Sequence, residues 1–295
     1  MNIYADITFS SDFFIFANKQ KLEIAIFDKY GNKVGSFVPA SRRFSLRTEI
    51  NQIGLLNDEV RRLETAKRLE NAAIYNLRAN LKYYARRLKT EELDTLVEEL
   101  TGYLGKVNEM KSIDELLLLE ARSRSAYYRG FNYILQDERF LFTERTKRPP
   151  KDPLNSMISF GNTLVYQRLA SEINKTSLDI RYGIIHSSNS RTESLNLDIA
   201  DLFKPLLVDK TIFTLVNRRI IDSEEDFVEV ENGGIYLSRS GKRKFIQAYE
   251  QKLYSTIKIG EVRRTYDAIM HNEIMKYKRF IDGKAEKYKP FKIMD

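Results

Sequence analysis

Residues 57–88 read NDEVRRLETAKRLENAAIYNLRANLKYYARRL. Within this stretch apolar side chains recur every three or four positions, from Val60 through Leu69 and Leu77 to Leu88. That spacing places them on one side of an α-helix, whose other side is rich in Lys and Arg. We therefore predict one long amphipathic helix from about Asn57 to Leu88, which acts either as a strut between two domains or as a core helix.

Short apolar segments precede this helix. Alternation and an excess of Ile, Phe and Tyr predict strands at Asn2–Phe9, Lys21–Phe27 and Lys33–Val38, with a turn over residues 28–32. Ser11–Asn18 is ambiguous, because its aromatic residues have helical spacing and its first residue is a candidate N-cap. These patterns predict a small β-rich unit at the N-terminus.

Helical patterns dominate the chain after Leu88. We predict a helix over residues 90–104, one from the capping box at Ser112 to about Leu135, one over Leu154–Asn174 and one from about Leu195. The predicted fold class is therefore α+β: a small N-terminal β-rich domain (residues 1–50) is joined by the long helix to a large all-α domain (residues 51–295).

Charge is unevenly distributed along the 295 residues, which carry a net charge of +8. Residues 239–295 contain 15 Lys and Arg against 7 Asp and Glu, and residues 122–151 contain 8 against 3. Basic surfaces of this kind favour a polyanionic partner such as nucleic acid, the alternative being a solvated surface that maintains solubility.

The composition also excludes several classes of protein. No apolar run approaches the roughly 20 residues that a transmembrane helix needs, so we expect no membrane partner. The opening MNIYADITF lacks the features of a secretory signal, and the chain has no cysteine, which excludes disulfides and thiolate metal sites. The expected location is the prokaryotic cytoplasm.

Glu120 is an acidic residue in an apolar setting. It follows the run Leu116–Leu119, and helical spacing puts it on the apolar face that Tyr127 continues. An ionised carboxylate on such a face is costly unless it is compensated. The compensating charge is either a nearby cation, for which Arg122 and Arg124 are candidates, or a metal ion.

His186 and two aspartates form the second set of candidates. His186, one of two histidines in the chain, ends an apolar segment, where either a ligand or an ordinary hydrogen-bonded histidine is expected. Asp198 and Asp201 are three residues apart and so lie on one side of a helix. They repel each other unless a cation lies near them, and Lys204, one turn further, could supply that charge on an ordinary solvated face.

One histidine and two or three carboxylates make an oxygen-rich donor set, which suits Mg²⁺ or Mn²⁺ better than structural zinc. Such ions on a basic surface indicate phosphoryl chemistry on nucleic acid. The sequence has no Walker-type loop, no Rossmann glycine pattern and no His-Glu-x-x-His. Nucleotide hydrolysis, dinucleotide binding and zincin-type proteolysis therefore have no support.

Four segments together resemble a known family. They are Glu120-Ala121 with Tyr127-Tyr128, RPPKDPLNSMISFG (residues 148–161), GIIH (residues 183–186) and LDIADLFKP (residues 197–205). In order and spacing they resemble the CRISPR spacer-acquisition integrases, the Cas-one family. The resemblance extends from about residue 20 to the C-terminus, and the Arg-Pro-Pro-x-Asp-Pro-x-Asn run joined to the later His and Asp segments is its most specific part.

The resemblance implies roles for the candidate residues. Glu120, His186 and Asp201 would be the ligands of Mg²⁺ or Mn²⁺, and Asp198 would be a supporting carboxylate of the catalytic group. These four residues are the predicted catalytic set.

The resemblance also implies contacts with DNA. Arg148 and Lys204 would be cations on the phosphate side of the site. The side chains of Tyr127, Tyr128 and Tyr133 could stack on splayed bases, with core packing as the alternative for at least one of them.

The implied function is insertion of short DNA spacers into a CRISPR repeat array, by attack of a DNA 3′-hydroxyl on a phosphodiester. The implied partners are duplex and branched DNA with 3′ ends, a second copy of the chain in a homodimer, and a small CRISPR protein (Cas two). The N-terminal domain is expected to be shorter than in that family. Two alternatives remain open: a non-catalytic DNA-binding or assembly protein of the same system, and a regulator that binds duplex DNA through its basic C-terminal region.

Overall fold

The computed structural model describes residues 1–4, 6–20, 22–28, 33–40, 45–186, 193–231 and 233–294. The helices are α1 (Ser11–Lys19), α2 (Leu46–Asn57), α3 (Glu59–Leu88), α4 (Glu91–Lys106), α5 (Ile113–Arg129), α6 (Phe131–Ile134), α7 (Pro153–Asn174), α8 (Leu195–Ala200), α9 (Lys210–Asn217), α10 (Arg239–Leu253) and α11 (Tyr266–Ile281). The strands are β1 (Asn2–Ile3), β2 (Ile24–Phe27), β3 (Lys33–Phe37), β4 (Phe227–Glu229), β5 (Ile235–Leu237), β6 (Thr256–Ile259) and β7 (Val262–Thr265). Within these ranges no helix combines the length and the hydropathy needed to span a bilayer.

The long predicted helix is confirmed as α3. It begins after Asp58, whose side chain accepts a hydrogen bond from the backbone N–H of Arg61, and it ends at Lys89, which has a left-handed conformation. From Leu69 to Leu81 its apolar repeat is buried in the main core, where the helix packs mainly against α4 and α5, whereas Val60 at its start is exposed. The helix is therefore part of the core of the large helical region.

The N-terminal strands form a three-stranded sheet in the order β1-β2-β3. β1 pairs in parallel with β2, and β2 pairs antiparallel with β3. The prediction of a strand over Asn2–Phe9 was too long, because β2 has only four residues and is irregular at Ile26/Phe27, so it offers no continuous partner beyond Ile3. The ambiguous segment is helical and its N-cap is Ser10, one residue earlier than predicted. Most of the predicted turn, residues 29–32, lies outside the described residues.

The α+β class is confirmed. Residues 51–295, which we predicted to be all-α, also contain two β-hairpins. β4 pairs with β5, and β6 pairs with β7, both antiparallel. Strands of three or four residues give too short an alternation to be distinguished from loops in the sequence. α2 runs across residues 50 and 51, and the division of the chain at that point stays a prediction.

The C-terminal tail is tied to the centre of the molecule through Asn76 of α3. The side-chain amide of Asn76 donates to the carbonyls of Leu202 (2.9 Å) and Phe291 (3.1 Å), while its oxygen accepts from the N–H of Ile293 (2.9 Å). The rings of Phe203 and Phe291 stack with centroids 5.7 Å apart. The turn that follows α8 is therefore held between α3 and the tail.

Candidate active site

α5 carries Glu120 on its inner side. The helix begins after its N-cap Ser112, whose hydroxyl accepts from the N–H of Glu115, while the Glu115 carboxylate accepts from the N–H of Lys111. This arrangement resembles a capping box and determines where the helix starts. Leu116, Leu119 and Ser123 of the same helix are buried, so the intervening Glu120 is held at the edge of the core.

Asp198 organises the segment that carries His186. The buried Asp198 carboxylate accepts hydrogen bonds from the backbone N–H groups of Ile184, Ile185 (3.1 Å) and His186 (3.0 Å). It also accepts from Nδ1–H of the His186 ring, at 2.8 Å. This bond leaves Nε2 as the free nitrogen of the ring, as in metal-binding histidines that are oriented by a carboxylate. Gly183 is required here, because a Cβ on it would lie 2.9 Å from an Asp198 oxygen.

Asp201 lies between two cations. One of its oxygens accepts from both Arg124 of α5 and Lys204, and Arg124 also donates to Glu120 at 2.8 Å. Burial by itself would raise the pKa of Asp201, but the charges of Arg124, Lys204 and His186 hold that pKa well below its ordinary value. Arg124 therefore joins the two carboxylates, and Asp201 stays ionised.

Glu120, His186 and Asp201 converge on one point. Each offers a ligand atom within 4.8 Å of the other two, and Nε2 of His186 is 3.8 Å from Oε2 of Glu120. This Glu120 oxygen is buried and has no hydrogen-bond partner among the described residues. Two ligands of a small divalent cation, each about 2.1 Å from it, are about 3 to 4 Å apart, so the spacing fits such an ion. One nitrogen and several carboxylate oxygens also match the donor preference of Mg²⁺ or Mn²⁺.

Two charged residues near this point were not identified as site residues from the sequence. Arg124 was considered only as a neighbour of Glu120, although its spacing of four residues predicts their contact. Glu70 of α3 is buried, and its Oε1 has no hydrogen-bond partner within the described ranges. Burial and the charges of Glu120 and Asp201 raise the pKa of Glu70 well above its ordinary value. The sequence did contain a sign of this buried carboxylate, because Glu70 lies on the apolar face of α3.

Tyr127 and Tyr128 lie in the core and are 1% and 8% exposed. The hydroxyl of Tyr127 donates to Asp209 (2.9 Å) and accepts from Asn80 (2.7 Å). This placement corresponds to the core-packing alternative, because it leaves neither ring face open to a base. Tyr133 is 46% exposed, so its proposed stacking role remains a prediction.

Of the two predicted phosphate-side cations, Lys204 is inside the site. It contacts Asp201, and its ammonium lies 4.7 Å from the centroid of the Tyr166 ring. Arg148 is exposed and, within the described part of the chain, forms no hydrogen bond or ion pair with the site, so its role remains a prediction. Burial, followed by the charges of Arg145, Arg124 and Lys204, lowers the pKa of the neighbouring Lys147. Lys147 is therefore electrostatically coupled to the site.

Comparison with known proteins identifies the family. Residues 1–251 match the family model described as CRISPR associated protein Cas1, and the chain therefore belongs to the Cas1 family. It is 34% identical to a CRISPR-associated endonuclease Cas1 of Thermodesulfovibrio yellowstonii, over 98% of this chain and 87% of that protein. It is 32% identical to the corresponding endonuclease of Haloferax volcanii, over 95% of this chain and 83% of that one.

Solved structures agree with this assignment. A Cas1 protein from Thermotoga maritima superposes with a TM-score of 0.84 at 32% identity, covering 96% of this chain and 85% of that one. A casposase bound to its integration product has a TM-score of 0.87 at 22% identity, covering 98% and 81%. The similarity to the casposase, at this low sequence identity, shows that the two chains share a fold. The resemblance drawn from the four sequence segments is thereby confirmed.

Proposed function

We propose that this chain is a metal-dependent DNA endonuclease and integrase, which inserts short DNA into a CRISPR repeat array. The observation that supports this most directly is the convergence of Glu120, His186 and Asp201 around an unpartnered carboxylate oxygen. Family membership supports the nuclease and integrase class, since the similar Cas1 proteins carry the name endonuclease. To this class we add two proposals, that the enzyme depends on a metal ion and that it transfers DNA strands.

Glu120, His186 and Asp201 would hold Mg²⁺ or Mn²⁺. When bound, such an ion would help to activate the attacking oxygen and stabilise negative charge at the phosphodiester. Asp198 would act through His186, by keeping Nδ1 protonated and Nε2 directed at the ion. The predicted catalytic set thus divides into three ligands and one positioning carboxylate.

The cations of the site would act on the DNA. Lys204 and Arg124 hold Asp201 ionised and add positive charge where a phosphate would approach. The attacking group is a DNA 3′-hydroxyl in strand transfer and water in cleavage, so no covalent bond between the chain and the DNA is needed. Arg148, which lies in the sequence next to Lys147, would bind a flanking phosphate.

The proposed partners follow from the family. They are duplex and branched DNA with 3′ ends, a second copy of this chain in a homodimer, and the small protein Cas2. Complexes titled Cas6-RT-Cas1–Cas2 contain chains of the same fold, at 21% and 20% identity. We place this activity in the prokaryotic cytoplasm, where a repeat array in genomic DNA is accessible.

One observation favours the alternative, a non-catalytic DNA-binding or assembly protein. Arg124 pairs with both Glu120 and Asp201, and Lys204 also contacts Asp201, so two cations compensate the two carboxylates even when no metal is bound. Under this alternative the site would be structural, and its carboxylates would show no specific affinity for Mn²⁺.

The test compares the two histidines of the chain. His186→Ala removes a proposed ligand, whereas His271 is 52% exposed in its side chain and pairs with Glu172, so His271→Ala is a matched control. We expect His186→Ala to abolish cleavage and strand transfer on branched DNA with Mn²⁺ or Mg²⁺, and to weaken Mn²⁺ binding measured by electron paramagnetic resonance. We expect Asp201→Ala to abolish the same activities.

His271→Ala should retain both properties. Tight DNA binding without metal-dependent turnover in any assembly state, together with equal Mn²⁺ binding by the two histidine variants, would establish the non-catalytic alternative.

A further inference from the structure

The hairpin between α10 and α11 has a well-defined turn. β6 and β7 are joined by two residues, Gly260 and Glu261, and the register pairs Ile259 with Val262 next to the turn. Gly260 has a φ of +59°, while Glu261 has no positive φ. Glycine with positive φ at the first of two loop residues is typical of a type II′ turn, which matches the twist of paired strands. We call residues Thr256–Thr265 the basic ribbon.

The register of the basic ribbon places two cations directly opposite each other. Lys258 pairs with Arg263, one step from the Ile259–Val262 pair. Side chains at directly opposed positions of an antiparallel pair point to the same face, with Cβ atoms about 5 Å apart. Like charges in this arrangement are destabilising. An anion bound between the two cations would remove this repulsion and so stabilise the hairpin.

The ribbon presents this pair to solvent. Ile257 and Ile259, whose side chains alternate with that of Lys258, pack against the main core. Lys258 and Arg263 are exposed on the other face. Among the described residues neither forms an ion pair with a carboxylate, and Arg263 donates a hydrogen bond to the hydroxyl of Thr256 at 3.3 Å. Two exposed, opposed cations are therefore available to an external anion.

More positive charge lies at the base of the ribbon. Lys252, in the last turn of α10, lies 5.0 Å from the ring centroid of Tyr266, the first residue of α11. Burial, followed by the charge of Lys252, lowers the pKa of Lys210 to about 8. Lys210 follows Asp209, which binds the Tyr127 hydroxyl of the site-bearing helix. Lys252 and Lys210 therefore lie close enough to influence each other between the ribbon and the residue that binds α5.

We propose that the basic ribbon binds the phosphate backbone of duplex DNA through Lys258 and Arg263. Phosphates on either side of the pair would remove the repulsion between the two cations, and released counterions would drive the binding. A two-stranded ribbon has the dimensions to enter the major groove, which is about 12 Å wide. This inference rests on the proposed DNA-processing function and assigns a role to part of the basic C-terminal region.

The test removes both charges in the full-length chain. In the variant Lys258→Gln/Arg263→Gln, we expect the slope of log affinity against log salt concentration to become less negative by about 1.8, since each lost phosphate contact contributes about 0.9. At about 0.15 M salt this corresponds to an affinity about thirty-fold lower for a duplex of about 30 base pairs. Fluorescence anisotropy measures both quantities, in buffer with EDTA.

A matched control removes two exposed lysines from an acidic neighbourhood. Lys106→Gln/Lys111→Gln changes the net charge by the same amount beside Glu109 and Glu115, and it should leave the salt slope unchanged. The ribbon variant should also unfold at the same or a higher temperature than the parent, because a repulsive pair is removed. If both variants lose the same DNA affinity, the loss reflects net charge alone and the proposal is overturned.

Unchanged DNA affinity in the ribbon variant would also overturn it. The two proposals fail separately, because binding is measured without divalent metal and cleavage with it. A ribbon without a role in DNA binding would leave metal-dependent cleavage intact at saturating DNA. A non-catalytic protein would lack cleavage and still show the expected change in salt slope.

Discussion

The substitution Asp198→Asn tests whether this carboxylate positions the proposed metal ligand His186. The buried carboxylate accepts four hydrogen bonds, three from the backbone N–H groups of Ile184, Ile185 and His186, and one from the His186 ring. Asparagine has nearly the same shape but replaces one of the two acceptor oxygens with a donor. Because each oxygen accepts two of these bonds, two donors lose their acceptor in the variant.

The magnitude follows from that count. A hydrogen bond to a charged group contributes about 1.5–3 kcal/mol, so two lost bonds lower the free energy of unfolding by about 3–6 kcal/mol. Where the amide nitrogen takes the place of Oδ1, the ring of His186 loses the partner that keeps Nε2 directed at Glu120. Where it takes the place of Oδ2, the backbone that leads into His186 loses two hydrogen bonds. Loss of such an outer partner typically lowers metal affinity about 10–100-fold. We expect both effects in Asp198→Asn.

The assay pairs urea unfolding with a Mn²⁺ titration followed by electron paramagnetic resonance. Asp226→Asn is the matched control, because Asp226 is equally buried and accepts from the N–H of Asp222 (2.9 Å) and the hydroxyl of Ser240 (2.7 Å), outside the candidate site. It should lose stability and keep its Mn²⁺ affinity. Unchanged Mn²⁺ affinity in folded Asp198→Asn, or the same loss in both variants, would refute the positioning role.

Two further predictions concern stability. Burial, only partly offset by the hydrogen bond from Tyr127, raises the pKa of Asp209 from 3.8 to about 7. The folded state therefore binds this proton more tightly than the unfolded state. The contribution of Asp209 to stability is fully present below pH 3.8 and falls by about 4 kcal/mol as pH rises from there through about 7. Asp209→Asn should flatten this decline in urea unfolding measured across the range, and equal pH profiles for the two proteins would contradict it. A Cβ on Gly161 would lie 2.9 Å from the Phe245 ring, whereas one on Gly102 meets nothing within 4 Å. We expect Gly161→Ala to lower the thermal midpoint through a cost of about 1–3 kcal/mol and Gly102→Ala to raise it slightly. A thermal midpoint for Gly161→Ala equal to or above that of Gly102→Ala would show that the contact is not repulsive.

Features that depend on nearby residues were predictable from the sequence. The apolar repeat of α3 and the cap at Ser112 use contacts between residues one turn apart, and both appear in the structure. The hairpins were missed, because their strands are too short for a two-residue period to be recognised. Their pairing also depends on residues on the far side of a turn.

The candidate site was predictable only in part. The motif order identified Glu120, His186, Asp198 and Asp201, but the residues alone left an ordinary interpretation open for each of them. The resemblance already implied that Asp198 supports three ligands, and the structure adds the hydrogen bonds through which Asp198 could position His186. The bridge that Arg124 forms also required the structure, because its second partner, Asp201, lies far along the chain.

The sequence by itself determined that residues 59–88 form one long helix, where α5 begins, which segments are basic, and which family the motifs resemble. These properties follow from spacing, capping and side-chain charge within a few residues. Only the tertiary structure decided that Glu120 of α5, His186 and Asp201 meet at one point, and that Lys258 opposes Arg263 in the basic ribbon. Such proximity depends on how whole helices and strands pack, because burial of their apolar faces sets the positions of side chains that are far apart in the chain.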